Sequence, residues 1–599
     1  MNRRYLPLAL FAAFAMFVLP TLAQAREHDE FQLVEATIAD IQDQFRSGNL
    51  APEDLVRMYL ERIAAYDSAG PHLNSFMHVN EHALADARAL SSEDSQGDGE
   101  DNAKPLFGIP VIIKDNISTT SMPTTAGSIA LGKTSPSKDA FIYQKLRRAG
   151  AIIIGKGTLT EFANFIALGM PTGYSSQLRY QLFQSGGDLA RVGFGFNPFD
   201  PRTDPRTKFN DGRPALQTGG SSSGPGIAVN ANLATVGVGT ETSGSILSPA
   251  SVNMLVGIKP TVGLVSRTGI VPITADQDTA GPMARTVTDA AKLLGVLAGY
   301  DPEDPATAAC LTPGKCLRDY TKFLKEGALD GARIAVPKIG YWTNDDGTVF
   351  LSVEQEKVMN DAIAVLREQG ATVEDFDIPD RNELFSFNTC VRLPIPADCT
   401  TVLLYGFKRD LNAYLDAFGP GVSVTGTAVH SLADVINFNK TFTIGTTQVG
   451  LKYGQAIALA ADTLDTRPGS SDTARYQKDR AKDLDLSRTR GLDPIYKKYD
   501  AVLFPANFGA NIAARAGYPS IVVPGGFVAN PAVSQSDPPP TPFPAGFNAR
   551  PAPFGVTFSG PAFSEGKLIS YAYAFEQATK HRVAPPSTPA LPATNSGDE

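Results

Sequence analysis

Two segments rich in glycine and serine could do chemistry together. They are Gly219-Gly220-Ser221-Ser222-Ser223-Gly224 and Gly239-Thr240-Glu241-Thr242-Ser243-Gly244-Ser245, with Ser245 24 positions after Ser221. Small residues let a backbone approach a reacting group closely and present free N–H donors, which is what a hydroxyl nucleophile beside an anion cradle requires. Either segment alone reads as a turn or a tight helix contact; the pair reads as a nucleophile site. A serine nucleophile needs a base, and histidine is scarce: His28, His72, His78 and His82 lie near the N-terminus, His430 and His581 far downstream. Lys114 is the alternative. It follows the apolar run at residues 109–113 and precedes Asp115-Asn116, and burial at the end of a strand lowers a lysine's pKa toward that of a general base.

Rival motifs are weaker. Residues 220–224 formally fit G-x-S-x-G, with Ser222 as nucleophile and His581 as a late base, but that turn must follow a strand and residues 208–218 contain no apolar run. Residues 150–156 nearly fit a phosphate loop, yet Gly157 replaces the required Ser or Thr and three isoleucines make the centre a strand. His78 and His82 flank Glu81 at helical spacing but lack a third ligand, so they read as an exposed helix face. No metal and no cofactor is expected.

The elements that would position these residues follow from periodicity. Residues 32–90 read as helices, opened by the capping pair Thr37 with Asp40 and by Pro52-Glu53. From Leu106 short β-branched runs alternate with helices: strands at 109–113, 151–154 and 234–238, helices at 139–148 and within 224–233. A second series has strands at 333–336 and 371–376 around a helix at 353–369; residues 400–500 read as mainly helical, and strands return at 501–504 and 520–523. Such alternation predicts an α/β fold, a large mixed sheet with helices on both faces, in one domain over 105–582 after an N-terminal region at 26–104.

The three chemical segments resemble the amidase signature family, in which a lysine, a serine in a cis peptide and a nucleophilic serine act together. Matched by motif, Lys114 from GIPVIIKDN would be the base, Ser221 from GGSSSG the bridging serine and Ser245 from GTETSGSI the nucleophile, with backbone N–H groups around Thr242, Ser243 and Gly244 holding the oxyanion. The likeness continues through residues 256–260 and 277–283 and returns at 516–520 and 553–556. It implies the amidase signature fold and hydrolysis of a carboxamide through an acyl-enzyme. Within the family the chain looks most like bacterial peptide amidases, which deamidate peptide C-termini. An aryl-acylamidase or a carbamate or ester hydrolase would use the same three residues. The remaining readings are an inactive binding protein and a transamidation subunit. Leu247 stands where many members have arginine, and Ser243 where Gly or Asp is common.

Composition bounds the rest. The 599 residues are 43% hydrophobic, enough for a large core, and a formal charge of −9 without a basic stripe argues against nucleic acid as a partner. Arg3, Arg4, an apolar stretch at 6–19 and Ala23-Gln24-Ala25 read as a secretory signal at 1–25, which predicts a periplasmic or secreted enzyme without stable membrane insertion, acting on a small-molecule amide or peptide amide. Without Arg3 and Arg4, 51 basic side chains face 62 acidic ones, a charge of −11. Four cysteines fall into two close pairs, Cys310 with Cys316 and Cys390 with Cys399, which suits two short-loop disulfides in an oxidising compartment. Residues 174–218 and 530–553 read as insertions, the first, with its many aromatics, expected to wall the acyl side of the pocket. The Pro-, Ser- and Thr-rich tail, 583–599, is expected to be disordered.

Overall fold

The computed structural model describes residues 31–94, 104–530 and 541–592. The expected leader, the centre of the acidic loop at 91–104 and part of the second insertion lie outside them. Eleven strands form one sheet: β1 (Phe76–Val79), β2 (Pro110–Lys114), β3 (Ile152–Gly157), β4 (Val236–Glu241), β5 (Val256–Lys259), β6 (Thr279–Ala284), β7 (Arg333–Val336), β8 (Thr372–Asp375), β9 (Ala501–Pro505), β10 (Ser520–Val528) and β11 (Ala552–Ser559), in the order β1-β3-β2-β4-β6-β5-β10-β11-β9-β7-β8. The sheet is mixed. β3, β2 and β4 run parallel, β9, β7 and β8 run parallel, and the strands between pair antiparallel. Every residue of β2, β3, β4, β6, β9 and β11 is buried, so helices cover both faces, and the β-branched runs show no polar alternation for that reason.

This is the expected α/β architecture, with two corrections. The N-terminal region is not purely helical: Phe76–Val79 pairs antiparallel with β3 and joins the main sheet at its edge, so residues 31–94 belong to the same body as the rest. His78 therefore sits on a strand, and the supposed helix face with His82 does not exist. The tail is ordered as far as residue 592. Arg62 donates to the carbonyls of Thr588 and Pro589, Ser587 Oγ donates to Pro198 O, and Thr588 is buried.

A second apolar core sits beside the sheet. Helices Val402–Ala417, Leu432–Thr441 and Ala456–Asp462 pack around Phe407, Leu411, Tyr414 and Phe438, and against Phe162, Phe165, Tyr174 and Phe194. The first insertion thus serves this core. It forms the helix Ser176–Gln184, capped by Ser175 Oγ, and Tyr174 packs on Phe194 and Tyr453 with ring centroids 5.2 and 4.8 Å apart. Cys310–Cys316 and Cys390–Cys399 are bonded, with Cα atoms 4.9 and 5.7 Å apart.

Candidate active site

Topology brings the three segments together. β2 and β4 are parallel neighbours with Ile113 opposite Val238, so Lys114 and Thr240 emerge side by side where both strands end. The ends of parallel strands are where α/β sheets place their ligands. The loop at 219–222 enters the helix Ser223–Asn230, which returns beneath the sheet against β2, β3 and β4. That return is close: a Cβ on Gly224 would lie 2.3 Å from Thr158 N and 2.4 Å from Ser75 O, so only glycine fits. Ser222 N–H donates to Ser245 O at 3.2 Å and docks one serine segment on the other.

Lys114 is fully buried. Its Nζ lies 2.7 Å from Ser221 Oγ, 2.9 Å from Thr240 Oγ1 and 3.2 Å from Thr240 O. No carboxylate among the described residues pairs with it. Burial pulls its pKa from 10.5 down to about 7, against the weaker attraction of Asp278 and Glu241. A neutral amine has two N–H donors and one lone pair: the two donors suit the two Thr240 oxygens, and the lone pair is left for the Ser221 hydroxyl. Ser221 follows a cis peptide bond from Gly220.

Ser245 is 7% exposed, and its hydroxyl has no hydrogen-bond partner among the described residues. Neither do the backbone N–H groups of Ser243, Gly244 and Ser245, which leaves three adjacent donors unclaimed beside a hydroxyl. The turn is held from behind by Glu241, whose Oε2 accepts the N–H groups of Ile246 and Leu247 at 2.7 and 3.0 Å. Gly244 has φ +85°, a left-handed conformation that favours glycine. Of the expected binding residues, Thr242 turns its hydroxyl to Asp278 Oδ1 at 2.5 Å, while Ser243 faces solvent.

A cavity of about 360 Å³ opens beside Thr240 and Thr242, with Ile270, Val271, Ile273, Tyr414 and Phe418 among its apolar walls. Asp278 lines it, and burial pushes that carboxyl up to about 7. No residue of 174–218 lines this cavity; of the insertion's aromatics, Tyr174 and Phe194 belong to the second core and Phe199 to the main one. Sequence reasoning does not single out Thr240 or Asp278 as site residues. Thr240 lies within the second serine motif and one strand register from Lys114, so parallel pairing of the two runs is the signal that points to it.

The rival motifs have other employment. Ser222 Oγ donates to Thr240 O and accepts Thr240 N–H, at 3.1 and 3.2 Å, and no strand leads directly into its turn. Lys156 lies within β3, where it pairs with Asp115 at 3.2 Å. Among the described residues no cluster of His, Cys, Asp and Glu could hold a metal ion, and no helix is long and apolar enough to cross a membrane.

A buried lysine without a carboxylate partner against one serine, beside a second serine and unclaimed N–H groups, is equipped for nucleophilic hydrolysis. The chain belongs to the Amidase family, whose sequence profile matches residues 54–569. It is 34% identical over 571 residues to a "probable amidase" of Arabidopsis thaliana, covering 94% of each chain. It is 31% identical over 547 residues to a glutamyl-tRNA(Gln) amidotransferase subunit of Symbiobacterium thermophilum, covering 91% of this chain and 96% of the other. Among solved structures it resembles the native peptide amidase of Stenotrophomonas maltophilia, with 34% identity, a TM-score of 0.73 and coverage of 92% of this chain and 98% of that one.

Proposed function

We propose that this amidase is exported and cleaves a carboxamide C–N bond through Lys114, Ser221 and Ser245, with peptide C-terminal amides as its substrates. The observation that carries the reading is the fully buried Lys114 amine 2.7 Å from Ser221 Oγ, in a loop docked on Ser245. Neutral Lys114 takes the Ser221 proton as Ser221 takes that of Ser245, and Ser245 Oγ attacks the amide carbonyl. The N–H groups at 243–245 stabilise the oxyanion. The proton returns through Ser221 to the nitrogen, the C–N bond breaks, and ammonia leaves an acyl-Ser245. Water then attacks the ester, giving its proton to the same relay, and the carboxylic acid departs.

Likeness to a peptide amidase over nearly the full chain supports the substrate. The leader at 1–25 and two disulfides support export. The likeness to an amidotransferase component favours one other reading, transfer of ammonia to a partner. A panel of peptide amides, anilides, carbamates, esters and free glutamine decides. The purified chain should release ammonia fastest from peptide amides; a preference for glutamine, awakened only by a partner protein, would replace the proposal with transamidation.

A further inference from the structure

The loop after β9 carries a polar group that the mechanism leaves unused. Ala506 has φ +41°, and its N–H donates to Gly555 O at 2.9 Å while Thr557 Oγ1 donates to its carbonyl. This turn sets Asn507 against the nucleophile loop: a Cβ on Gly244 would lie 3.2 Å from Asn507 Nδ2 and 3.5 Å from Ala510 Cβ. Asn507 is half-buried, and its side-chain amide has no hydrogen-bond partner among the described residues. It does not line the cavity beside Thr242. The next residue, Phe508, stacks on Phe350 with centroids 6.5 Å apart and planes at 28°. Phe350 is 40% exposed and lines a second cavity, of about 500 Å³, with Asn344, Asn382 and Phe385. Gly244, Asn507 and the Phe508–Phe350 pair therefore follow one another outward from the nucleophile loop.

We propose that Asn507 is a specificity-determining residue that binds the first peptide group on the acyl side of an extended peptide-amide substrate, with Phe508 and Phe350 seating the chain beyond it. A carboxamide side chain offers one acceptor and two donors, the complement of a peptide C=O and N–H. A simple acyl amide has no such group at that position. Asn507 makes no side-chain hydrogen bond among the described residues, so both its acceptor and its donors are available to a substrate peptide group. The proposal rests on Ser245 being the nucleophile and names the substrate class that this site prefers.

The test uses a matched pair, N-acetyl-phenylalaninamide and 3-phenylpropanamide, which differ by one acetamido peptide group. In the full-length enzyme the ratio of their kcat/KM values should favour the first. Asn507→Ala should lower that ratio about tenfold, expressed chiefly in KM, and Asn507→Asp, which keeps an acceptor but loses the donors, should also lower it. Stoichiometric reaction of each variant with a small fluorophosphonate certifies that the site is assembled. A ratio within twofold of the parent's in both variants overturns the proposal, as does an equal loss on both substrates. Failure of the underlying reading looks different: the parent itself would then carry no fluorophosphonate on Ser245.

Discussion

Replacing Lys114 by methionine should abolish turnover and yet stabilise the fold. A lysine whose pKa falls from 10.5 to about 7 on folding has lost its proton to burial. At about 1.4 kcal/mol per pKa unit, that costs about 5 kcal/mol at neutral pH. Methionine fills similar volume without the cost but gives up the contacts to Ser221 and Thr240, each worth about 1 kcal/mol net. The net gain is about 2 to 3 kcal/mol, which for a chain of this size raises Tm by about 2 to 3 °C. The sign of the pH dependence is fixed. A lysine depressed on folding carries its full penalty below the folded pKa, where the buried ammonium is itself unfavourable, and loses it as pH rises from the folded to the unfolded pKa, so the variant's advantage is full near and below pH 7 and fades as pH rises toward 10.5. Calorimetry of parent and variant from pH 6.5 to 10 measures it. A variant less stable than the parent at pH 7, with the deficit shrinking as pH rises, would mean that Lys114 is charged in the folded protein and cannot be the resting base.

For the same reason kcat should rise with pH through about 7, as buried Lys114 loses its proton, and level off above; a pH–rate profile on a peptide amide checks this, and a fall in rate across that interval would remove the lysine as base. EDTA should leave the rate unchanged, because no step of the proposed relay uses a metal; inactivation restored by added zinc would contradict it. Ser222→Ala should retain covalent labelling at Ser245 and lower stability by about 1 to 2 kcal/mol, because the two hydrogen bonds of its hydroxyl to Thr240 are structural; denaturant unfolding and labelling together measure both halves. Loss of labelling with unchanged stability would favour Ser222 as nucleophile.

Much of this site was legible in the chain because its parts are local. Lys114 ends a buried apolar run, and the two serine segments flank a helix and a strand that must lie beside that run in a parallel sheet. What sequence could not give are partners brought by tertiary contact. Asn507 meets Gly244 only because β9 pairs with β11 in the far half of the sheet, and Asp278 meets Thr242 through the antiparallel pairing of β6 with β4. Phe76–Val79 was hidden because four residues at a sheet edge carry too little periodicity to stand out from flanking helices. The aromatics of 174–218 marked burial, which the structure divides between the second core at Tyr174 and Phe194 and the main core at Phe199. The tail to residue 592 is ordered by carbonyls that any sequence supplies; the ordering partner is Arg62, more than 500 positions away.

The central claim, that Ser245 becomes acylated with Lys114 and Ser221 as its proton relay, is tested most directly by peptide mapping after reaction with a fluorophosphonate. The adduct should lie on Ser245 alone, be absent from Ser245→Ala, and form much more slowly in Lys114→Met and Ser221→Ala, all three variants remaining folded. An adduct on Ser222, or full turnover in Ser245→Ala, would contradict the account.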